Sequence, residues 1–346
     1  MRSLVMFSIP ALAAVVAACG SDSATAPVTP PSTQVLTVDA ASTFAYVALG
    51  DPFTVATVAN PATSTAWDFG VFATTVTLNG GAAGPGSVSA YCVCQNAQAT
   101  NAQLHSMTAE NQLAAFDAVI AAQIPADAQF KADLLSPVIG GWYTGTAPNV
   151  APNASLAWII RKGGASPILG KFRVTAIAGA TATSAGSVTV EYALQPAAAT
   201  PFGGVVSKTI AVGSSTVYFD LVAGAVSTSA QWDVAFSGYQ IRVNGGVSGS
   251  GSVMAVPDNA TPFASIDATY AATAPVQAYR TDEFGGVFSS NRWYKYNITG
   301  TDNQIWPTYN VYLLKKGSGV YKVQLTGYYG TNGASRQVTV RYRKLR

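Results

Sequence analysis

Large apolar residues alternate with small or polar ones in short runs along this chain, and one such run occurs twice. In residues 232–253 (WDVAFSGYQIRVNGGVSGSGSV), Trp232, Val234 and Phe236 fall on even positions, and Tyr239, Ile241 and Val243 fall on odd ones after Ser237-Gly238. A period of two predicts a strand, and its change of phase predicts a bulge or sharp bend between two strands. Residues 67–88 (WDFGVFATTVTLNGGAAGPGSV) match this run without a gap at a constant offset of 165. The match pairs Trp67 with Trp232, Asp68 with Asp233 and Asn79-Gly80-Gly81 with Asn244-Gly245-Gly246. Asn-Gly-Gly is a tight-turn signal.

Upstream, residues 35–49 (VLTVDAASTFAYVAL) predict an entering strand pair with Phe44, Tyr46 and Leu49 pointing inward, and residues 217–221 (VYFDL) are the counterpart. Downstream the two copies diverge and then converge. The first carries a helical pattern, with Leu113, Phe116, Ile120 and Ile124 at a spacing near 3.6, Thr108 as candidate cap, Pro125 as stop and a second short helix at about 127–135. The second copy's insert is punctuated by Pro and Gly and predicts mainly loop. Similarity returns at Trp142-Tyr143 and Trp293-Tyr294, and then at residues 156–163 (LAWIIRKG) and 310–317 (NVYLLKKG). Phe172-Arg173-Val174 aligns with Tyr321-Lys322-Val323, and residues 188–192 (VTVEY) with 338–342 (VTVRY). The expected fold is all-β, mainly antiparallel and sandwich-like, in two tandem related domains at 34–195 and 205–346, with a helical insert at about 108–135 and a linker at 196–204.

Composition adds a compartment. The chain has 346 residues, 49% hydrophobic and only 10% charged, which suits a β-rich exported protein rather than a disordered one. Arg2 followed by an apolar run to Ala18, too short to span a bilayer, reads as a signal peptide over residues 1–18. Val16-Ala17-Ala18-Cys19 fits a bacterial lipobox, so Cys19 is the expected lipidated residue, anchored by its acyl chains. Residues 19–33 read as a small, polar, Pro-containing tether. These features place the protein in the bacterial envelope, at the outer membrane, facing the periplasm or the surface. The net charge of +3 is uneven: residues 280–346 hold 11 Lys/Arg against 3 Asp/Glu, while the first 279 hold 8 against 13. A basic end suits anionic partners or a solvated sheet face. Cys92 and Cys94, two apart in an extended segment, are candidates for a local disulfide or for free thiols.

The second half resembles a known family. W-D-x-A-F, then I-R-x-N-G-G-x-S-G-x-G, then W-Y-x-Y, then V-Y-L-L-K-K-G-x-G-V-Y-K-V-Q-L-x-x-Y-Y, in this order between Val205 and Arg346, are similar to the HmuY family of haem-binding bacterial lipoproteins. The first half resembles it only through the second, as a diverged copy. The resemblance implies an all-β, lipid-anchored binder that captures haem or a related porphyrin and passes it to an outer-membrane transporter. It implies no enzyme and no nucleic-acid partner.

Haem iron is held by His, Met, Cys or Tyr. The chain has one histidine, His105, so ligation by two histidines of one molecule is excluded. The ligand candidates are Met254, directly after the second glycine turn, Tyr270 and Tyr279 in the insert beyond it, and His105 and Met107 in the first insert. Lys315, Lys316, Lys322 and Arg341 are candidates to pair with propionates. The glycine turns lack the Lys of a phosphate loop, and no GxSxG or HExxH pattern occurs. The alternative reading is a structural or adhesive surface module that has kept the fold and lost haem ligation.

Overall fold

The computed structural model describes residues 32–346; the signal peptide, Cys19 and most of the tether lie outside the described residues. The fold is all-β and mainly antiparallel, organised around two five-stranded sheets. One runs in the order Gln34–Asp39, Ser335–Lys344, Gly319–Tyr329, Val311–Lys316, Ser89–Cys92. The other runs Val206–Val212, Gly186–Leu194, Ile168–Ala178, Ala157–Lys162, Val253–Asp258. In each, three central strands come from one half of the chain and both edge strands from the other. Gln34–Asp39 pairs with the strand ending at Lys344, and Val206–Val212 pairs with Gly186–Leu194. The sheets therefore do not coincide with the sequential segments 34–195 and 205–346.

The cores follow the sheets. Val38, Val47, Phe69, Val71 and Leu78 pack with Trp293, Tyr312, Val323 and Val340. Trp142, Trp158, Phe172 and Val190 pack with Phe219, Val234, Phe236 and Ile241. Two ion pairs make the same exchange: Lys316 Nζ reaches Asp68 at 2.8 Å, and Lys162 Nζ reaches Asp233 at 2.8 Å. Both carboxylates also accept a backbone N–H, from Leu49 and Leu221. The chain changes core just beyond Leu134–Ser136 in the first half and Glu283–Gly285 in the second. These two short strands pair antiparallel with each other, Leu135 opposite Phe284.

The repeated run supplies two strands of a small four-stranded sheet in each core. Its phase change is a two-residue hairpin turn rather than a bulge: Phe69–Phe72 pairs with Thr75–Leu78, and Val234–Ser237 with Gln240–Val243. The turn brings both in-phase sets onto one face, so Val234, Phe236, Ile241 and Val243 are all fully buried. In the entering pair Val47 points inward and Leu49 packs against the same core, as expected, but Phe44 and Tyr46 project from the opposite face and are half-buried. The Asn-Gly-Gly signal works through its Asn. Asn79 Nδ2 donates to Trp67 O at 2.7 Å, and its Oδ1 accepts Gly86 N at 2.9 Å; Asn244 makes the same bonds with Trp232 O and Gly251 N. Gly84 and Gly249 are needed because a Cβ there would stand 2.2 Å from the Asn oxygen. Asn79→Ala leaves the buried Trp67 carbonyl and the half-buried Gly86 N–H unpaired, so urea unfolding should show a loss of about 2–4 kcal/mol.

The inserts pack on the outer faces of the five-stranded sheets. The first forms helices Asn101–Ser106 and Leu113–Ala118 and two short turns of 3-10 helix, and stops earlier than its periodicity predicts, leaving Ile120 54% exposed. Thr108 caps a local turn with Asn111 instead of the helix. The second insert has its own short helix, Ala268–Ala272, capped by Asp267. Strand register also moves one alignment by two residues. Trp158 pairs with Phe172, and its counterpart Tyr312 pairs with Val323, so Lys171 rather than Arg173 matches Lys322. A one-residue slip would have turned every side chain of that strand to the other face.

Candidate functional site

The candidate ligands fall into two groups. Met254 lies on Val253–Asp258 opposite Arg161, half-buried in an outer apolar cluster with Ile159, Phe263, Tyr270 and Tyr279. The structure thus brings together the three candidates of the second half. The hydroxyls of both tyrosines are committed. Tyr270 donates to Asp258 Oδ2 at 2.7 Å and accepts from Thr261 Oγ1 at 2.7 Å. Tyr279 is 4% exposed, and its hydroxyl faces Ala271 O at 3.4 Å. Burial raises its pKa, which disfavours the phenolate an iron would need.

The candidate propionate partners are also engaged. Lys315 pairs with Asp127 at 2.6 Å and Lys316 with Asp68 at 2.8 Å. Lys322 is fully buried; its ammonium donates to Phe116 O at 2.8 Å and Val119 O at 2.9 Å and stands over the Phe116 ring. Burial, reinforced by the nearby Arg343, lowers its pKa to about 8. Arg341 donates to Gln324 Oε1 at 3.0 Å and to Ala109 O. Lys322 and Arg341 hold the first insert against its sheet, and neither is presented to a ligand. Lys171 plays the matching part in the other core, donating to Phe263 O at 2.8 Å.

His105 and Met107 sit elsewhere. A reciprocal cap starts their helix: Thr100 Oγ1 accepts Gln103 N, and Gln103 Oε1 accepts Thr100 N. The helix lies against the small pair Tyr294–Tyr296 and Ile305–Pro307. Lys295 Nζ donates to Ala99 O, Asn101 donates to Ile298 O, and the exposed His105 ring rests 4.7 Å from the Trp306 ring. Met107 is half-buried at the helix end. Beside them is a hollow of about 500 Å³ lined by Asn101, Arg292, Tyr294, Lys295, Tyr296 and Ile305. His105 rests on Trp306, and Lys295, opposite Trp306 across the strand pair, lines the neighbouring hollow together with Arg292. These side chains would supply a nitrogen ligand for an iron and basic groups for carboxylates. Arg292 and Lys295 escaped the sequence reading because they precede the conspicuous lysines of the next strand, and only the fold sets them beside residues 101–105. Among the described residues no cluster of three or more His, Cys, Asp and Glu side chains forms a metal site. Cys92 and Cys94 form a disulfide; Cys94 has a positive φ of 56°, which ends the strand and leaves the two Cα atoms 5.0 Å apart.

Residues 214–342 match the family described as HmuY protein. Two solved structures are similar. One, described as HmuY-like and heme-binding, from Bacteroides vulgatus ATCC 8482, is 15% identical, with 37% of this chain and 84% of that one covered and a TM-score of 0.17. The other, described as a lipoprotein, from Bacteroides fragilis NCTC 9343, is 14% identical, with 46% and 89% covered and a TM-score of 0.17. None of the curated proteins matches the chain. Over residues 214–342, then, this all-β chain is similar to the HmuY family.

Proposed function

We propose that this protein is a binding protein of the bacterial envelope, anchored through Cys19, that captures haem or a related porphyrin and passes it to an outer-membrane transporter. The observation that carries the reading is the HmuY match over residues 214–342. The lipobox at 16–19 supports the anchor, and among the described residues no helix is long and apolar enough to cross a membrane. The role is binding rather than catalysis. Of the candidates, His105 would hold the iron: the residue is exposed, whereas Tyr270 and Tyr279 are already bonded and Met254 is packed into an apolar cluster. Arg292 and Lys295 at the neighbouring hollow would take the propionates.

A second reading, a surface module without haem, is favoured by one feature: all four basic candidates named from the sequence are tied up internally. Haemin titrated into the chain starting at Ser21 separates the two. A saturable Soret shift that His105→Ala reduces at least tenfold in affinity is expected. No shift in either redox state would overturn haem binding, and a shift that His105→Ala leaves intact would overturn the assignment of the ligand.

A further inference from the structure

The strands that carry the chain between cores leave a cleft of about 740 Å³ beside them, between the two glycine turns. Several of its lining residues hold matching places in the two halves, but their chemistry differs. Thr77 in one half corresponds to Arg242 in the other, and Leu135 corresponds to Phe284. The cleft is therefore polarised along its length. One wall is aromatic: Phe44 stacks on Tyr46 at 5.9 Å, and Tyr46 meets the edge of Trp67 at 4.9 Å. The one charged residue lining it is Arg242.

That guanidinium is under-used. Among the described residues it makes one hydrogen bond, from Nη2 to Thr216 Oγ1 at 2.9 Å, and no ion pair within 4.0 Å, while its Nε is shielded from solvent without a partner. Asp282 interacts with Arg242 through space but forms no ion pair with it, and its oxygens accept Val138 N and Val243 N. A cleft of this size suits a small molecule, with an apolar lining supplying affinity and a few polar groups fixing orientation. A free guanidinium selects a planar anion, which it binds through paired N–H groups.

We propose that this cleft binds an amphiphile with a flat or chain-like apolar body and a single anionic group, the body against Phe44, Tyr46 and Phe284 and the anion on Arg242. The site is separate from the His105 hollow, so it stands or falls independently of the haem reading. The probe is 1-anilinonaphthalene-8-sulfonate, an aromatic monoanion, titrated into the folded full chain and then displaced by dodecanoate or dodecanol. Saturable fluorescence is expected, with dodecanoate displacing the dye at a tenfold or more lower concentration than dodecanol. Arg242→Gln should weaken the dye at least tenfold and remove the preference for dodecanoate. Ala82→Trp, at an exposed position lining the cleft, should block the dye without burying new polar groups, while the haemin titration stays unchanged. Dye binding that survives both substitutions, or equal displacement by acid and alcohol, would overturn the proposal.

Discussion

A cut within residues 196–204 is expected to leave the two fragments as one particle. With a protease site placed in that segment, the cleaved protein should elute at its uncut volume and stay together on dilution to nanomolar concentration. Each sheet is completed by the other fragment: Gln34–Asp39 and Ser89–Cys92 flank strands from the second half, and Val206–Val212 and Val253–Asp258 flank strands from the first. Separation would strip Val38, Val47, Phe69, Val71 and Leu78 from Tyr312, Val323 and Val340, and leave a comparable set bare in the other core. At about 2 kcal/mol for each large apolar side chain, ten such residues give about 20 kcal/mol. Set against a cost of association of about 4–15 kcal/mol, this leaves about 5–16 kcal/mol, of which nanomolar binding needs about 12. Asp68 and Asp233 would also be left buried without their lysines. Fragments that elute separately and keep their β-sheet signal would mean that 34–195 and 205–346 fold as independent units, and would remove the strand exchange.

The hairpin, its turn and the strand sets were legible because alternation and glycine placement are local. Trp232, Val234 and Phe236 announce an inward face, and Asn79 and Asn244 announce turns, whichever core they join. The exchange was not legible for the same reason. Residues 188–192 (VTVEY) and 338–342 (VTVRY) offer nearly the same edge to an incoming strand, so a repeat names the strands that pair without naming the copy that each pairs with. The choice is made at Leu134–Ser136 and Glu283–Gly285, two three-residue strands that carry no conspicuous pattern. At the candidate site the sequence marks His105 as the one imidazole, but nothing local says that Trp306 lies beneath it. The lysines misled in the opposite direction. A Lys on an alternating strand reads as a wet position, yet Lys322 points outward from its sheet into the underside of the first insert, where its partners are backbone carbonyls with no sequence signature.

That burial carries the last expected result. Lys322→Met should destabilise the protein by about 1–3 kcal/mol and speed amide exchange across residues 101–130 by about ten- to a hundredfold. Two effects oppose each other. A Met of similar length removes the desolvation of the ammonium, which favours the variant. It also leaves Val119 O without its donor, and Phe116 O with only the Val119 N–H, at the end of a six-residue helix, at about 1–3 kcal/mol for the unsatisfied group. Asp117 stays paired with Arg343 at 2.6 Å, so the substitution strands no carboxylate; the second effect wins because the loss falls on a helix too short to hold itself. The pH dependence separates this account from simple loss of packing. The folded pKa of Lys322, about 8, lies below the ordinary lysine value, so between the two the unfolded chain holds the extra proton. Stability of the native protein should therefore rise as pH climbs from about 8 toward 10.4, and Lys322→Met should flatten that rise. A variant with unchanged exchange in 101–130 and an unchanged slope above pH 8 would show that Lys322 holds nothing; loss of stability with the slope intact would show that it serves only to fill space.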